Sequence, residues 1–240
     1  MDGTLVDSGT CVERVWMTWA DRHGLDGDAI MRVAHGRQNH ETVKAVAPHL
    51  DRPEEYAWMM QAEEDCRDGV VAVPGASELL AALPRESWAV VTSAWRRLAD
   101  IRLACAGLPV PRVLITSDDV TRSKPDPDGY LAAATALGVD PWACIVIEDS
   151  PAGVAAGMAA GATVIGITVT FPAERLATEL HIRDLRAITV RVSTPGVESS
   201  APPPASQTSG DRGPRFTRTR ATDQATRRHH GEDQPSRPAE

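Results

Sequence analysis

Between residues 75 and 194, short runs rich in Val and Ile alternate with helical patterns, and this alternation restricts the possible folds more than any other feature. The strand candidates are WAVVT (88–92), RVLI (112–115), CIVIE (144–148) and TVIGI (163–167). Between them lie WRRLADIRLACAG (95–107), PDGYLAAATALG (127–138) and SPAGVAAGMAAG (150–161). Strands of this kind separated by helices of this length make βαβ units, and successive units build a parallel, doubly wound α/β sheet of the Rossmann-like type. The helix ends agree: Ser150 suits an N-cap, Pro151 the first helical position, and Gly138 and Gly161 suit C-terminal exits.

Residues 9–73 read differently. Trp16, Trp19, Val33, Val43, Val46, Tyr56 and Met59 recur at helical spacings with no convincing strand. A helical insert joined at about Gly9–Cys11 and Val73–Gly75 is expected, so that 1–10 with 74–194 form the α/β core and 11–73 a helical cap. Trp16 and Trp19, three apart on one face, suit the interior of that cap better than a substrate wall. From Pro195 onward the chain has no Leu, Ile, Met, Trp or Tyr. Such a stretch cannot bury enough apolar surface to offset its ordering entropy, and 195–240 is expected to be a disordered tail. Its His229–His230 pair reads as solvated.

The length of 240 residues accommodates a domain plus a cap. A net charge of −8 argues against nucleic acid, whose binding needs clustered Lys and Arg. Cys11, Cys66, Cys105 and Cys144 are widely spaced without a CxxC pair, which disfavours a zinc site or a disulfide and fits a reducing, cytoplasmic setting. No apolar run reaches membrane-span length, so no membrane partner is expected, and a monomer or weak dimer is. Of 25 basic residues only Lys44 and Lys124 are lysines, so each marks a place where a compact ammonium could be needed.

In an open parallel sheet, ligands bind beyond the carboxyl ends of the strands. The polar residues there are Asp2, Gly3 and Thr4 in the opening MDGTLVDS, Thr92 and Ser93 after WAVV, Lys124 in SKPDPDGY, and Glu148 with Asp149 after CIVI. Each piece alone has an ordinary explanation as a turn, an exposed loop or a helix cap. Together they suit a phosphate monoester. Adjacent carboxylates and a backbone carbonyl make an all-oxygen site for Mg²⁺. Thr92, the Ser93 N–H and Lys124 can hold phosphoryl oxygens. A carboxyl group two residues beyond a nucleophile can protonate a departing alkoxide and then activate water.

These motifs resemble those of the haloacid dehalogenase-like phosphatases with a helical cap inserted after the first motif, from Met1 to about Val192. MDGTLVDS resembles the end of DxDGTxxDS, VVTSA the second motif, SKPDPDGY the third and IEDSPAGVAAGMAAG the fourth. The resemblance implies Asp2 as general acid/base, with its carbonyl a metal ligand. It implies Gly3, Thr92, Ser93 and Lys124 around the phosphate, and Asp149 with Glu148 beside it around Mg²⁺. The cap stretch AHGRQN (34–39) resembles the substrate loop of the sugar- and polyol-phosphatase branch, which offers Gly36, Arg37 and Asn39 as substrate contacts. A small phosphorylated metabolite is the implied partner. A β-phosphoglucomutase-like phosphomutase and a non-catalytic binding protein stay open as alternatives.

In DxDGT the first Asp is the nucleophile, and Met1 occupies the x. By resemblance the nucleophile and the first strand stand immediately upstream of Met1. The expectation is that translation begins upstream, and that the chain from Met1 forms no aspartyl-phosphate. The Met1 ammonium would otherwise sit close to where a metal belongs. Ser123 departs from the Gly that relatives often carry before the Lys.

Overall fold

A computed structural model describes residues 1–34, 37–193 and 196–200 of the chain. The four expected strands all form: β3 (Ala89–Val91), β4 (Val113–Ile115), β5 (Ile145–Glu148) and β6 (Thr163–Ile167). They follow β1 (Val6–Asp7) and β2 (Val71–Ala72) in the chain. Three helices separate the four: α6 (Arg96–Cys105), α7 (Asp128–Leu137) and α8 (Pro151–Ala159). A fifth parallel strand, β7 (Leu180–Ile182), pairs with β6. At three residues, two of them exposed, β7 has too little apolar pattern to show in the sequence. The parallel strands form two hydrogen-bonded ribbons, β3–β4 and β5–β6–β7, with β3 and β5 each paired on one side only. Met1, Val90, Leu114, Ile165 and Ile167 nevertheless share one hydrophobic core, which Leu98 and Leu103 of α6 and Leu79 of α5 (Ala76–Ala82) cover.

Among the described residues the insert forms helices, as its periodicity predicts: α1 (Gly9–His23), α2 (Gly27–Ala34), α3 (Asn39–Val46) and α4 (Pro53–Asp65), with a short 3₁₀ turn before α4. It has its own core of Trp16, Trp19, Ile30, Val43 and Met59. The two tryptophans are fully buried and meet edge to face with ring centroids 5.6 Å apart, so they pack the insert instead of lining a cleft. At the root of the insert β1 and β2 pair antiparallel, Val6 opposite Ala72.

One expectation is corrected. Cys11 and Cys66 form a disulfide, their Cα atoms 5.7 Å apart across a sequence separation of 55, while Cys105 and Cys144 are free. Spacing along the chain concealed this because α1 and α4 pack side by side, bringing the first turn of one against the end of the other. The cysteines therefore no longer argue for a reducing compartment. β8 (Thr189–Ser193) pairs antiparallel with β9 (Gly196–Ser200), at the border of the stretch read as a tail. An antiparallel partner satisfies backbone groups without demanding apolar side chains. Residues 201–240, His229–His230 among them, lie outside the described residues. Among the described residues, no helix is long and apolar enough to cross a membrane.

Candidate active site

The opening segment folds into a tight turn instead of a strand. The Met1 carbonyl accepts from the N–H groups of Thr4, Leu5 and Val6 at 3.1, 2.8 and 3.1 Å, and the Gly3 N–H donates to Val6 O at 2.8 Å. Gly3 sits at φ +68°, where an L side chain is strained. A Cβ there would also lie 2.0 Å from Asp149 Oδ2 and 2.3 Å from Thr170 Oγ1. Only a glycine lets the opening turn lie against the acidic pair at the end of β5.

That pair is buried. Glu148 is 2% exposed, and its Oε2 accepts from the Asp149 and Ser150 N–H groups and from Ser150 Oγ at 3.2, 3.4 and 3.2 Å. Ser150 in turn caps α8, accepting from the Gly153 N–H at 3.1 Å, which is the cap the sequence predicts. Glu148 Oε1 takes the Lys124 ammonium and the Tyr130 hydroxyl, the latter at 2.5 Å. Burial pushes the Glu148 carboxyl up, but Lys124, the Met1 ammonium and these hydrogen bonds bring it down to about 2. Asp149 accepts from Thr4 Oγ1 at 3.2 Å and from Thr170. Burial and the neighbouring Glu148 charge push it up to about 6. The Met1 ammonium is pushed down, by burial first and then by Lys124.

Beside Lys124 and Tyr130, the two groups bonded to Glu148, lies a small cleft with a cavity of about 20 Å³, lined in part by Thr92, Ser93, Ser123, Lys124, Tyr130 and Gln38. Thr92 follows β3, is 6% exposed, and accepts from the Ala94 N–H at 3.2 Å, which fixes the turn carrying Ser93. Lys124 reaches the cleft from the loop before α7. Lys44, by contrast, is an exposed lysine 3.8 Å from Asp51, so of the two lysines only Lys124 serves the site.

Thr92, Ser93 and Lys124 thus converge on one cleft, with Glu148 one bond behind and Asp149 and Gly3 packed against it. Asp2 does not line this cleft; its side chain turns to Ser8 Oγ at 2.7 Å and Arg102 Nη1 at 2.8 Å. Burial pushes its carboxyl up and Arg102, with the Met1 ammonium, outweighs this, so it lies below the usual carboxylate range. In the stretch proposed as a substrate loop, Gly36 lies outside the described residues, Arg37 is exposed away from the cleft, and Asn39 donates to Glu63 Oε2 at 2.8 Å inside the insert. Gln38, beside them, does line the cleft.

Sequence reasoning missed Tyr130 and Arg102. Tyr130 is the last residue of the third motif, on the first turn of α7 (Asp128–Leu137), and reads as an ordinary helix residue. Arg102 carries a legible signal: in RRLADIRLACAG it falls on the stripe of Leu98, Ala99 and Leu103, where a charge is out of pattern. Ser123 donates to Glu41 of α3, a contact that a glycine there could not make.

Among the described residues no cluster of three or more His, Cys, Asp or Glu is gathered as a ready metal cage. The donor set nonetheless fits a hard cation. Two adjacent buried carboxylates, Glu148 and Asp149, offer oxygen ligands of the kind such a cation takes.

A parallel α/β core interrupted by a helical insert, with acid pair, lysine and hydroxyl at successive strand ends, defines a phosphoryl-transfer class of hydrolase. Residues 1–161 match the model of the haloacid dehalogenase-like hydrolase family. The chain is 40% identical over 196 residues to hexitol phosphatase A of Escherichia coli, covering 79% of this chain and 91% of that protein. It is 36% identical over 184 residues to glycerol-1-phosphate phosphohydrolase 2 of Saccharomyces cerevisiae, covering 71% and 73%. The crystal structure of a hydrolase from Pseudomonas syringae superposes with a TM-score of 0.69 at 29% identity, over 77% of this chain and 91% of that one. The chain belongs to the haloacid dehalogenase-like hydrolase family, in its phosphatase branch.

Proposed function

We propose that this protein hydrolyses a small phosphate monoester, a sugar or polyol phosphate, with Mg²⁺ as cofactor. The observation that carries the reading is the convergence of Thr92, Ser93 and Lys124 on one cleft backed by Glu148 and Asp149. The names of the hexitol and glycerol phosphate relatives support the substrate class.

In this reading Lys124, the Thr92 hydroxyl and the Ser93 N–H bind the phosphoryl oxygens, and Gly3 permits the close approach of the opening turn. Asp149 and the Asp2 carbonyl, with Glu148 alongside, would hold Mg²⁺, which when bound supplies charge that offsets repulsion between an anionic nucleophile and the phosphate. Asp2 donates a proton to the leaving alkoxide and later takes one from the attacking water. In the family's first motif the attacking Asp stands one residue ahead of the position that Met1 occupies, and β3 and β5 each have one unpaired side among the described residues. Gly36, Arg37 and Asn39 belong to the loop that selects the substrate, with Gln38 as its member nearest the cleft.

The test compares the chain from Met1 with the same chain preceded by its native upstream codons. The extended protein is expected to release inorganic phosphate from hexitol or glycerol phosphates in Mg²⁺ and to stop when the metal is chelated; the chain from Met1 is expected to be inert. No release from any ester across a broad sugar- and polyol-phosphate panel would overturn the reading.

A further inference from the structure

Arg102 is the one arginine that α6 directs into the main core, 4% exposed among Leu98, Ala99 and Leu103. Its Nη1 lies 2.8 Å from Asp2 Oδ1, and its Nη2 lies 3.7 Å from Glu63 Oε1 on α4. Glu63, itself 7% exposed, takes the Asn39 amide on its other oxygen. A continuous line of polar groups therefore runs from the start of α3, through α4 and α6, to the Asp2 carboxylate. Arg102 Nε and Nη2 have no hydrogen-bond partner among the described residues. A buried guanidinium with unmatched donors is an expensive way to fill a core, and an apolar side chain would pack there at lower cost. What an apolar side chain could not do is hold a carboxylate in one orientation.

We propose that Arg102 is a positioning residue for Asp2, and that Glu63 and Asn39 make this positioning depend on how the helical insert is seated. The proposal rests on the reading of Asp2 as general acid/base. Both donors to Asp2, Ser8 and Arg102, go to Oδ1, and Oδ2 takes no hydrogen bond among the described residues. Anchoring one oxygen leaves the other, Oδ2, to face the leaving group. As the bond from the attacking carboxylate to phosphorus forms and the P–O bond to the leaving group breaks, a proton that Oδ2 takes up with the ester, against the pull of Arg102, moves to the departing alkoxide oxygen. A carboxylate that has lost its anchor still fits the site but meets the alkoxide in the wrong geometry, and a misplacement of about 1 Å can cost roughly 100-fold in rate.

The test uses the phosphate-releasing protein of the assay above and two esters. An alkyl phosphate needs its leaving oxygen protonated, whereas p-nitrophenyl phosphate expels a leaving group that departs unprotonated. R102M is expected to lower kcat on the alkyl ester about 100-fold with KM within about threefold, while the first-turnover burst of p-nitrophenol stays within about threefold. R102K, which keeps the charge on a different reach, is expected to recover about tenfold of the loss. E63Q leaves the Asp2 contact in place and is expected to show the same alkyl-only pattern at about three- to tenfold; it also serves if R102M does not fold. Equal losses on both esters would assign Arg102 a structural role and overturn the proposal, as would unchanged kcat in R102K and E63Q. A wild-type protein inert on both esters would overturn the hydrolase reading itself, and the proposal with it.

Discussion

At single residues, the site is built from groups whose neighbours decide their worth. Lys124 neutralises Glu148 in a buried setting, so removing it does two things. K124M is expected to abolish phosphate release and to destabilise the fold by about 3–5 kcal/mol, because it strands a buried carboxylate. K124M/E148Q is expected to regain part of that stability and none of the activity, as denaturant melts beside phosphate assays would show. Gly3 and Gly24 make a second comparison. Both have positive φ, but a Cβ at Gly24 meets open space whereas one at Gly3 meets Asp149 and Thr170. G24A is expected to cost about 1 kcal/mol with activity intact, and G3A to cost more and to eliminate turnover. The residue types TS, K and ED were legible in the sequence because each follows a readable strand, and DGT because it resembles the end of a family motif. Arg102, Tyr130 and Glu63 were not read, since a long-range partner leaves no mark on local pattern beyond an out-of-place charge.

At the level of elements, the helical insert depends on one buried carboxylate. Glu55 on α4, 4% exposed, accepts from Trp19 Nε1 at 2.9 Å, bonds His23 Nε2 at 2.8 Å, and takes Arg52 Nη2 at 2.9 Å. Burial pushes its carboxyl up, but these partners more than offset that and bring it from 4.5 down to about 2. A carboxyl depressed in the folded state contributes stability that is complete above about pH 4.5 and is lost as pH falls towards 2. The insert is therefore expected to lose about 3 kcal/mol across that window, read from Trp fluorescence melts of the wild type. E55Q is expected to be less stable at neutral pH and flat over the same range. The insert's helices were visible in the sequence through their apolar spacing; which of its acids would be buried was not, because α4 turns Glu55, Glu63 and Glu64 inward against its own weak amphipathic pattern.

Across the whole molecule, the Cys11–Cys66 disulfide closes the two ends of the insert on each other. Crosslinking a loop of this length restricts the unfolded chain and is expected to stabilise by about 4 kcal/mol. Thiol titration of the denatured, unreduced protein should then find two free thiols, and reductant or C66S should lower the denaturation midpoint. Four thiols with no response to reductant would remove the bond from the account. The sequence by itself determined the class of the fold, its helical insert and the order of the chemical groups along the strand ends, because strand and helix periods and turn residues are local properties. Only the tertiary structure decided that Cys11 meets Cys66, that Lys124 closes on Glu148, that β3 and β5 each keep an unpaired side, and that Arg102 reaches Asp2. These are distances between segments far apart in the chain, and packing, rather than local pattern, sets such distances.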